Sequence, residues 1–178
     1  MKKFLTLLTI ALSLVFISHS CKPNSKKYVD LGLPSGLKWA TCNVGANSPE
    51  EYGSYLTFNQ ACDTTYDGLR MPTIYELAEL RTQCTWMWTE QNGVNGYKVT
   101  GPNGNSIFLP AAGCRFGSSL SGVKEFDVGK SGFYWSSSYY ETLFDGMAMA
   151  ECVSFDSISH PWSNWFVKDS LSVRLVSE

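Results

Sequence analysis

Residues 28–40 are YVDLGLPSGLKWA, and this segment decides how the fold begins. Its centre, Pro34-Ser35-Gly36, has the composition of a tight turn, because proline presets its backbone angle and glycine accepts turn conformations. Apolar and aromatic residues lie on both sides of the turn, as expected for strands. The segment therefore predicts two strands joined at this tripeptide.

The clearest helix begins just after Pro72. Thr73 can accept a hydrogen bond at the start of a helix, and Glu76 stands three residues later, which is the spacing of a capping box. Apolar residues then recur at helical spacing, so the pattern predicts a helix from about position 74 to 84. A similar capping-box pattern at Thr57 predicts a second, brief helix.

The rest of the chain has the pattern of strands and turns. Asn103-Gly104 lies between two apolar segments, 97–100 and 106–109, and this is a strong signal for a hairpin. Further strands are predicted at 133–138, 147–155 and 171–176. Because the helices come early and most strands come late, the pattern predicts an α+β fold.

The first residues have the pattern of a bacterial lipoprotein signal. Lys2 and Lys3 precede an apolar run from Phe4 to Ile17. At about 1.5 Å per helical residue this run is too short for a bilayer core of about 30 Å, but it suits a secretory signal. Cys21 follows a small residue after the run, where a lipoprotein signal peptidase leaves a cysteine that carries the lipid.

The sequence thus predicts a signal at 1–21, a lipidated Cys21, a polar tether at 22–27 and one domain at 28–178. This organisation places the domain in the cell envelope, anchored to a membrane that we expect to be the outer membrane. The alternative is ordinary secretion with an incidental Cys21. Acyl chains hold a protein on a membrane at about 0.8 kcal/mol per buried CH2, so the anchor would be stable.

The charge balance bears on the partners of the domain. The net charge is −2 at pH 7, and two of the lysines lie in the signal, so the mature chain is more acidic still. Nucleic acid is therefore excluded as the main partner. Five cysteines follow Cys21, none in CxxC spacing, and His160 is the one histidine of the mature chain. This set predicts no metal site and no cofactor.

Five blocks of sequence point to a known family. In order, they are YVDLGLPSGLKWA (28–40), LRMPT (69–73), GPNGNSIFLPAAG (101–113), YWSSS (134–138) and SVRLV (172–176). Together they resemble the Fibrobacter succinogenes major paralogous (FISUMP) domain over nearly all of the mature chain. The resemblance implies a C-type-lectin-like fold, with two short helices packed on a twisted antiparallel sheet and a long irregular loop region that carries the ligand.

The resemblance also implies an envelope lipoprotein that binds a ligand or has a structural role and catalyses no reaction. Its ligand would be a glycan or a protein. Two alternatives remain: an adhesin or fimbria-associated subunit, and an enzyme related to formylglycine-generating enzymes. That enzyme would need two copper-binding cysteines, for which Cys114 and Cys152 are the only suggestion. The same two cysteines are our first candidates for a local disulfide, and Cys42 with Cys84 is the second pair.

The candidate ligand-binding residues are aromatic. Flat rings with amide or hydroxyl neighbours suit sugar faces and peptide anchors, because they offer contact area at little cost in entropy. We expect at least one of the two late tryptophans to be exposed beside a tyrosine of the preceding strand. The candidates are Tyr139, Tyr140, Trp162, Asn164 and Trp165.

Overall fold

The computed structural model describes residues 28–64, 66–118, 122–144 and 147–178. The predicted signal, Cys21 and the tether lie outside these ranges. The helices are α1 (Phe58–Asp63) and α2 (Ile74–Gln83). The strands are β1 (Tyr28–Asp30), β2 (Lys38–Ala40), β3 (Leu56–Thr57), β4 (Thr85–Gln91), β5 (Val94–Thr100), β6 (Ser106–Pro110), β7 (Cys114–Ser118), β8 (Gly122–Phe126), β9 (Gly132–Phe144), β10 (Met147–Phe155), β11 (Trp162–Phe166), β12 (Ser170–Leu171) and β13 (Val176–Ser177).

The predicted α+β, C-type-lectin-like fold is wrong, because the structure is mostly β. Strands make up 49% of it and helices 11%. Strands both precede and follow the two helices, and in the described part of the chain they form four sheets with antiparallel neighbours: β1-β2-β13, β3-β12-β7-β8, β4-β5-β6 and β9-β10-β11. The physical reason is the size of the helices. α2 has ten residues and buries only Leu77 and Leu80, which is too little apolar surface to cover a sheet.

The locally encoded elements are confirmed. β1 and β2 pair with Tyr28 opposite Ala40, and the turn between them is closed by Gly36 N–H donating to Leu33 O at 2.9 Å. Both helices have the predicted capping boxes, at Thr57 and at Thr73. β5 and β6 pair on either side of the predicted Asn-Gly turn.

The predicted strand at 171–176 is divided in two. β12 joins the sheet of β3 and β7, whereas β13 pairs with β2, so the backbone between them crosses from one sheet to another. It is held there by Val44 N–H donating to Val173 O at 3.0 Å and Ala40 N–H donating to Leu175 O at 2.9 Å. Trp162, Asn164 and Trp165 lie on a strand, β11, and not in a long irregular loop region, because this strand completes the edge of the β9-β10 sheet.

The core consists of two apolar clusters on either side of β9. Tyr134 packs in the first with Trp39 and Phe155, while the next residue, Trp135, packs in the second with Phe58. Successive residues of a strand point to opposite faces, so β9 separates the two clusters. In the described part of the chain, no helix has the length and apolar character needed to cross a bilayer.

Candidate functional site

An open cleft lies between the start of α2 and the β9-β10-β11 sheet. Its volume is about 710 Å³, within the range of ligand pockets. α2 contributes one wall and the three strands contribute the other. The cleft is lined by Ile74, Tyr75, Ala78, Ser138, Tyr139, Tyr140, Glu151 and Trp162.

The rings around this cleft are unusually open to solvent. Tyr75 is 82% exposed, Tyr139 52% and Trp162 40%. Isolated exposed apolar side chains are common on proteins, but three large rings around one concavity form a patch, and such patches mark binding sites. We refer to this cleft and its rings as the aromatic cleft.

A bulge built from serines positions the tyrosines. Ala150 lies opposite Tyr139 and Cys152 opposite Trp135, so three residues of β9 face a single residue of β10. The Ser136 hydroxyl donates to Glu151 O at 2.8 Å and fills the gap that this mismatch leaves. Bulges redirect side chains and are common beside functional sites. Here the bulge turns the end of β9 toward α2.

The same serines tie β9 to the start of α2. Ser137 N–H donates to Pro72 O at 2.8 Å. The Ser138 hydroxyl accepts from Ile74 N–H at 3.0 Å, and this N–H is one of the donors that a helix start leaves unpaired. Tyr75, on the helix, and Tyr139, on the strand, are therefore held in fixed relation to each other.

Arg81 orders the far end of the cleft. Its guanidinium lies over the Trp162 ring, 5.1 Å from the centroid, which fixes the indole without burying it. His160 stacks on Trp86 with ring centroids 4.7 Å apart. Burial is the main cause that lowers the pKa of His160, and the charge of Arg81 adds to it. His160 is thus packed against the aromatic rings of Trp86 and Tyr97.

The structure brings together only some of the predicted residues. Tyr139, Tyr140 and Trp162 line the aromatic cleft, and Trp162 is exposed beside the tyrosines, as predicted. Asn164 and Trp165 lie in a different pocket, and Trp165 packs on Phe133 with ring centroids 4.8 Å apart. The five candidates therefore belong to two places on the surface.

Sequence reasoning missed Tyr75, Arg81 and Glu151. A signal for Tyr75 existed, because it lies on the face of α2 opposite the buried Leu77 and Leu80, where a large ring has no role in the core. Arg81 and Glu151 gave no such signal, since each reaches the cleft only through tertiary packing.

The disulfide predicted between Cys114 and Cys152 is not formed in the structure, where both are buried free thiols. They share one apolar cluster with Trp135. Burial raises the pKa of each thiol to about 12. At neutral pH both are therefore protonated, whereas the thiolate is the form that attacks or binds a metal.

Within the described ranges, no three His, Cys, Asp or Glu side chains are grouped so as to hold a metal ion. Comparisons of the chain with family models, curated proteins and solved structures gave no significant match. The case for a function therefore depends on the residues and geometry of the chain itself.

Proposed function

We propose that this chain is a lipid-anchored, non-enzymatic module of the bacterial cell envelope that binds a glycan in the aromatic cleft. The single observation that carries the proposal is the group of exposed rings, Tyr75, Tyr139 and Trp162, around one concavity. Sugar rings present flat C–H faces, which pack on aromatic faces, and hydroxyls that need polar partners at the edges.

The polar groups of the cleft suit such a ligand. Glu151 and Ser138 line it, and Arg81 lies at its end over Trp162. A carboxylate accepts hydrogen bonds from sugar hydroxyls, a guanidinium donates them, and a hydroxyl does both. A few polar groups among rings are typical of small-ligand sites, where they orient what the rings hold.

The sequence supports the location. The signal pattern that ends at Cys21 and the resemblance of five blocks to the FISUMP domain both favour an envelope lipoprotein, and we propose the outer membrane as its site. A lipid anchor makes a shallow, open cleft useful, because a tethered module meets its ligand at high local concentration.

A glycan screen with matched variants tests the proposal. The mature chain with Cys21→Ser, free of lipid, is applied to an array of bacterial envelope and host glycans, and binding is followed by calorimetry. Trp162→Ala and Tyr139→Ala should each weaken binding by about 1–2 kcal/mol, as the loss of an anchor ring does.

The control is Phe126→Ala, which removes a ring that is 43% exposed outside the cleft and should leave glycan affinity unchanged. Glycan binding that all three variants retain would place the ligand elsewhere. Binding of envelope proteins but no glycan, lost in the cleft variants, would instead favour a protein ligand of the adhesin type.

A further inference from the structure

A second pocket, which shares no residue with the aromatic cleft, lies where the β7-β8 hairpin meets β10 and β11. Its volume is about 380 Å³, enough for a small organic molecule. The turn between β11 and β12 closes its base. Its lining is mostly aromatic and apolar, with one amide and one carboxylate as polar groups, and consists of Phe116, Phe126, Met149, Asn164, Trp165, Phe166 and Asp169.

The rings come from two separate sheets. Phe116 and Phe126 meet edge to face with centroids 6.1 Å apart on the hairpin, and both are partly exposed. Trp165 and Phe166 belong to β11 and also line the pocket, and the Trp165 ring packs on Phe133 of the core as well. Ring faces carry partial negative charge, so several rings around one space attract a cation, and the most weakly hydrated cations gain most.

The carboxylate is Asp169, which is only 6% exposed. Among the described residues its side chain forms no ion pair. The Trp165 side-chain N–H acts on it through a hydrogen bond, which helps lower the carboxyl pKa. A buried carboxylate is usually paired with a cation, and Asp169 has no such pair within the described ranges.

One ammonium group already lies at the rim. The Lys168 Nζ is 5.7 Å from the centroid of the Phe166 ring and 3.2 Å from the Met147 sulfur. Lys168 is exposed, so its ammonium remains in water at the rim of the pocket. Its position shows that this aromatic surface accepts a positive charge.

We propose that this pocket binds a methylated ammonium group, with the rings of Phe116, Phe126, Trp165 and Phe166 around the cation and Asp169 as its counter-charge. Methyl groups make the cation bulky and weakly hydrated, so it gives up water easily and fills an apolar space. The Met149 thioether adds a soft, polarisable wall that suits methyl groups.

The energetics of Asp169 support this proposal. Burial is the main cause that raises the pKa of its carboxyl, with Lys168 and Trp165 offsetting part of the rise. A carboxyl with a raised pKa binds its proton more tightly in the folded state than in the unfolded chain. The folded state therefore loses stability as the pH rises from the ordinary carboxyl pKa of 3.8 through the raised pKa of the folded state. At neutral pH Asp169 therefore destabilises the empty domain, and a bound cation would offset this.

Choline and its neutral carbon isostere, 3,3-dimethylbutan-1-ol, test the proposal by calorimetry on the mature chain with Cys21→Ser. Choline should bind at least about tenfold more tightly than the isostere, since the two differ in charge and hardly in shape. Ethanolamine, which is charged but strongly hydrated, should bind more weakly than choline.

Two substitutions separate the carboxylate from the rings. Asp169→Asn removes the charge at nearly constant size, and should abolish the preference for choline over the isostere. The variant protein should unfold at a urea concentration equal to or higher than that of the parent protein. Phe126→Leu removes a partly exposed ring and should weaken choline binding. Lys168→Gln removes the competing ammonium and should leave choline affinity equal or higher.

Tyr139→Ala is the control, because Tyr139 lines the aromatic cleft and does not line this pocket, so choline affinity should be unchanged. This control also separates failure of this site from failure of the glycan proposal.

Phosphatidylcholine vesicles distinguish two sources of the methylated ammonium group. If the lipid-free protein is recruited to the vesicles and Asp169→Asn abolishes the recruitment, the source is a lipid headgroup. If choline binds but the protein is not recruited, the source is a free small molecule. Equal binding of choline and its isostere, no binding of either, or unchanged choline affinity in Asp169→Asn would each overturn the proposal.

Discussion

The side-chain oxygen of Asn43 accepts two hydrogen bonds from the buried guanidinium of Arg174, at 3.0 Å from Nε and 2.8 Å from Nη2. The same guanidinium donates to Ala40 O and Phe108 O, each at 2.9 Å. Within the described part of the chain it forms no ion pair. Arg174 therefore links the first hairpin, β6 and the C-terminal segment through neutral acceptors alone.

We expect Asn43→Leu to destabilise the domain by about 3–5 kcal/mol, because it leaves the buried charge of Arg174 without its main acceptor. Asn43→Asp keeps the acceptor and adds an opposite charge, so it should cost much less, although it loses the amide donor to Tyr52 O and the Tyr134 hydroxyl. Urea unfolding of the two variants checks this. Equal losses of stability in Asn43→Leu and Asn43→Asp would show that the hydrogen bonds from Arg174 to residue 43 do not determine the stability of the domain.

His160 should make stability depend on pH below neutrality. Its folded pKa is lowered from 6.5, mainly by burial, so the unfolded chain binds the proton more tightly. Its contribution is therefore present above pH 6.5 and is lost as the pH falls toward the folded value. His160→Phe keeps a ring stacked on Trp86 and removes the titration. Urea midpoints between about pH 5 and 6.5 should slope less in this variant, and identical slopes would refute the assignment.

Two tryptophans give a direct test of which rings belong to the core. Trp162→Ala should cost about 1 kcal/mol or less of stability, mostly through the lost contact with Arg81. Trp135→Ala should cost about 3–5 kcal/mol, because this ring is fully buried against Phe58 and its N–H donates to Leu56 O at 2.8 Å. Chemical denaturation measures both. A large loss for Trp162→Ala would make the ring structural and weaken the glycan proposal.

The buried thiols should resist alkylation. With the pKa of Cys114 and Cys152 raised to about 12, iodoacetamide at mildly alkaline pH should label neither in the folded protein and both after reduction and unfolding. Mass spectrometry of tryptic peptides reads this out. The disulfide between Cys114 and Cys152 remains a prediction for protein isolated from the cell envelope. If it forms there, unfolding without a reducing agent leaves both cysteines unlabelled. Labelling of both cysteines under those conditions would exclude the disulfide.

Cys21→Ser should release the full-length protein from the membrane fraction, since the acyl chains would supply nearly all of its membrane affinity. Fractionation and uptake of labelled fatty acid measure this. A variant that still sediments with membranes, together with a parent protein that takes up no fatty acid, would contradict the predicted anchor.

The sequence by itself determined the features that depend on neighbouring residues. The turn at Pro34-Ser35-Gly36, the capping boxes at Thr57 and Thr73, and the hairpin around Asn103-Gly104 all form as predicted. Each depends on backbone angles and hydrogen bonds between residues a few positions apart. Such interactions are favoured by the local sequence alone, and packing against the rest of the domain makes them stable.

Tertiary structure decided which elements meet. The pattern of the chain placed the helices early and the strands late but did not contain the pairings that made the fold mostly β, because strand partners lie far apart in sequence. It also placed Trp162 and Trp165 in one candidate site. The two residues are three positions apart, so they lie on opposite faces once this stretch is a strand, and it becomes one by pairing with β10, which is distant in sequence.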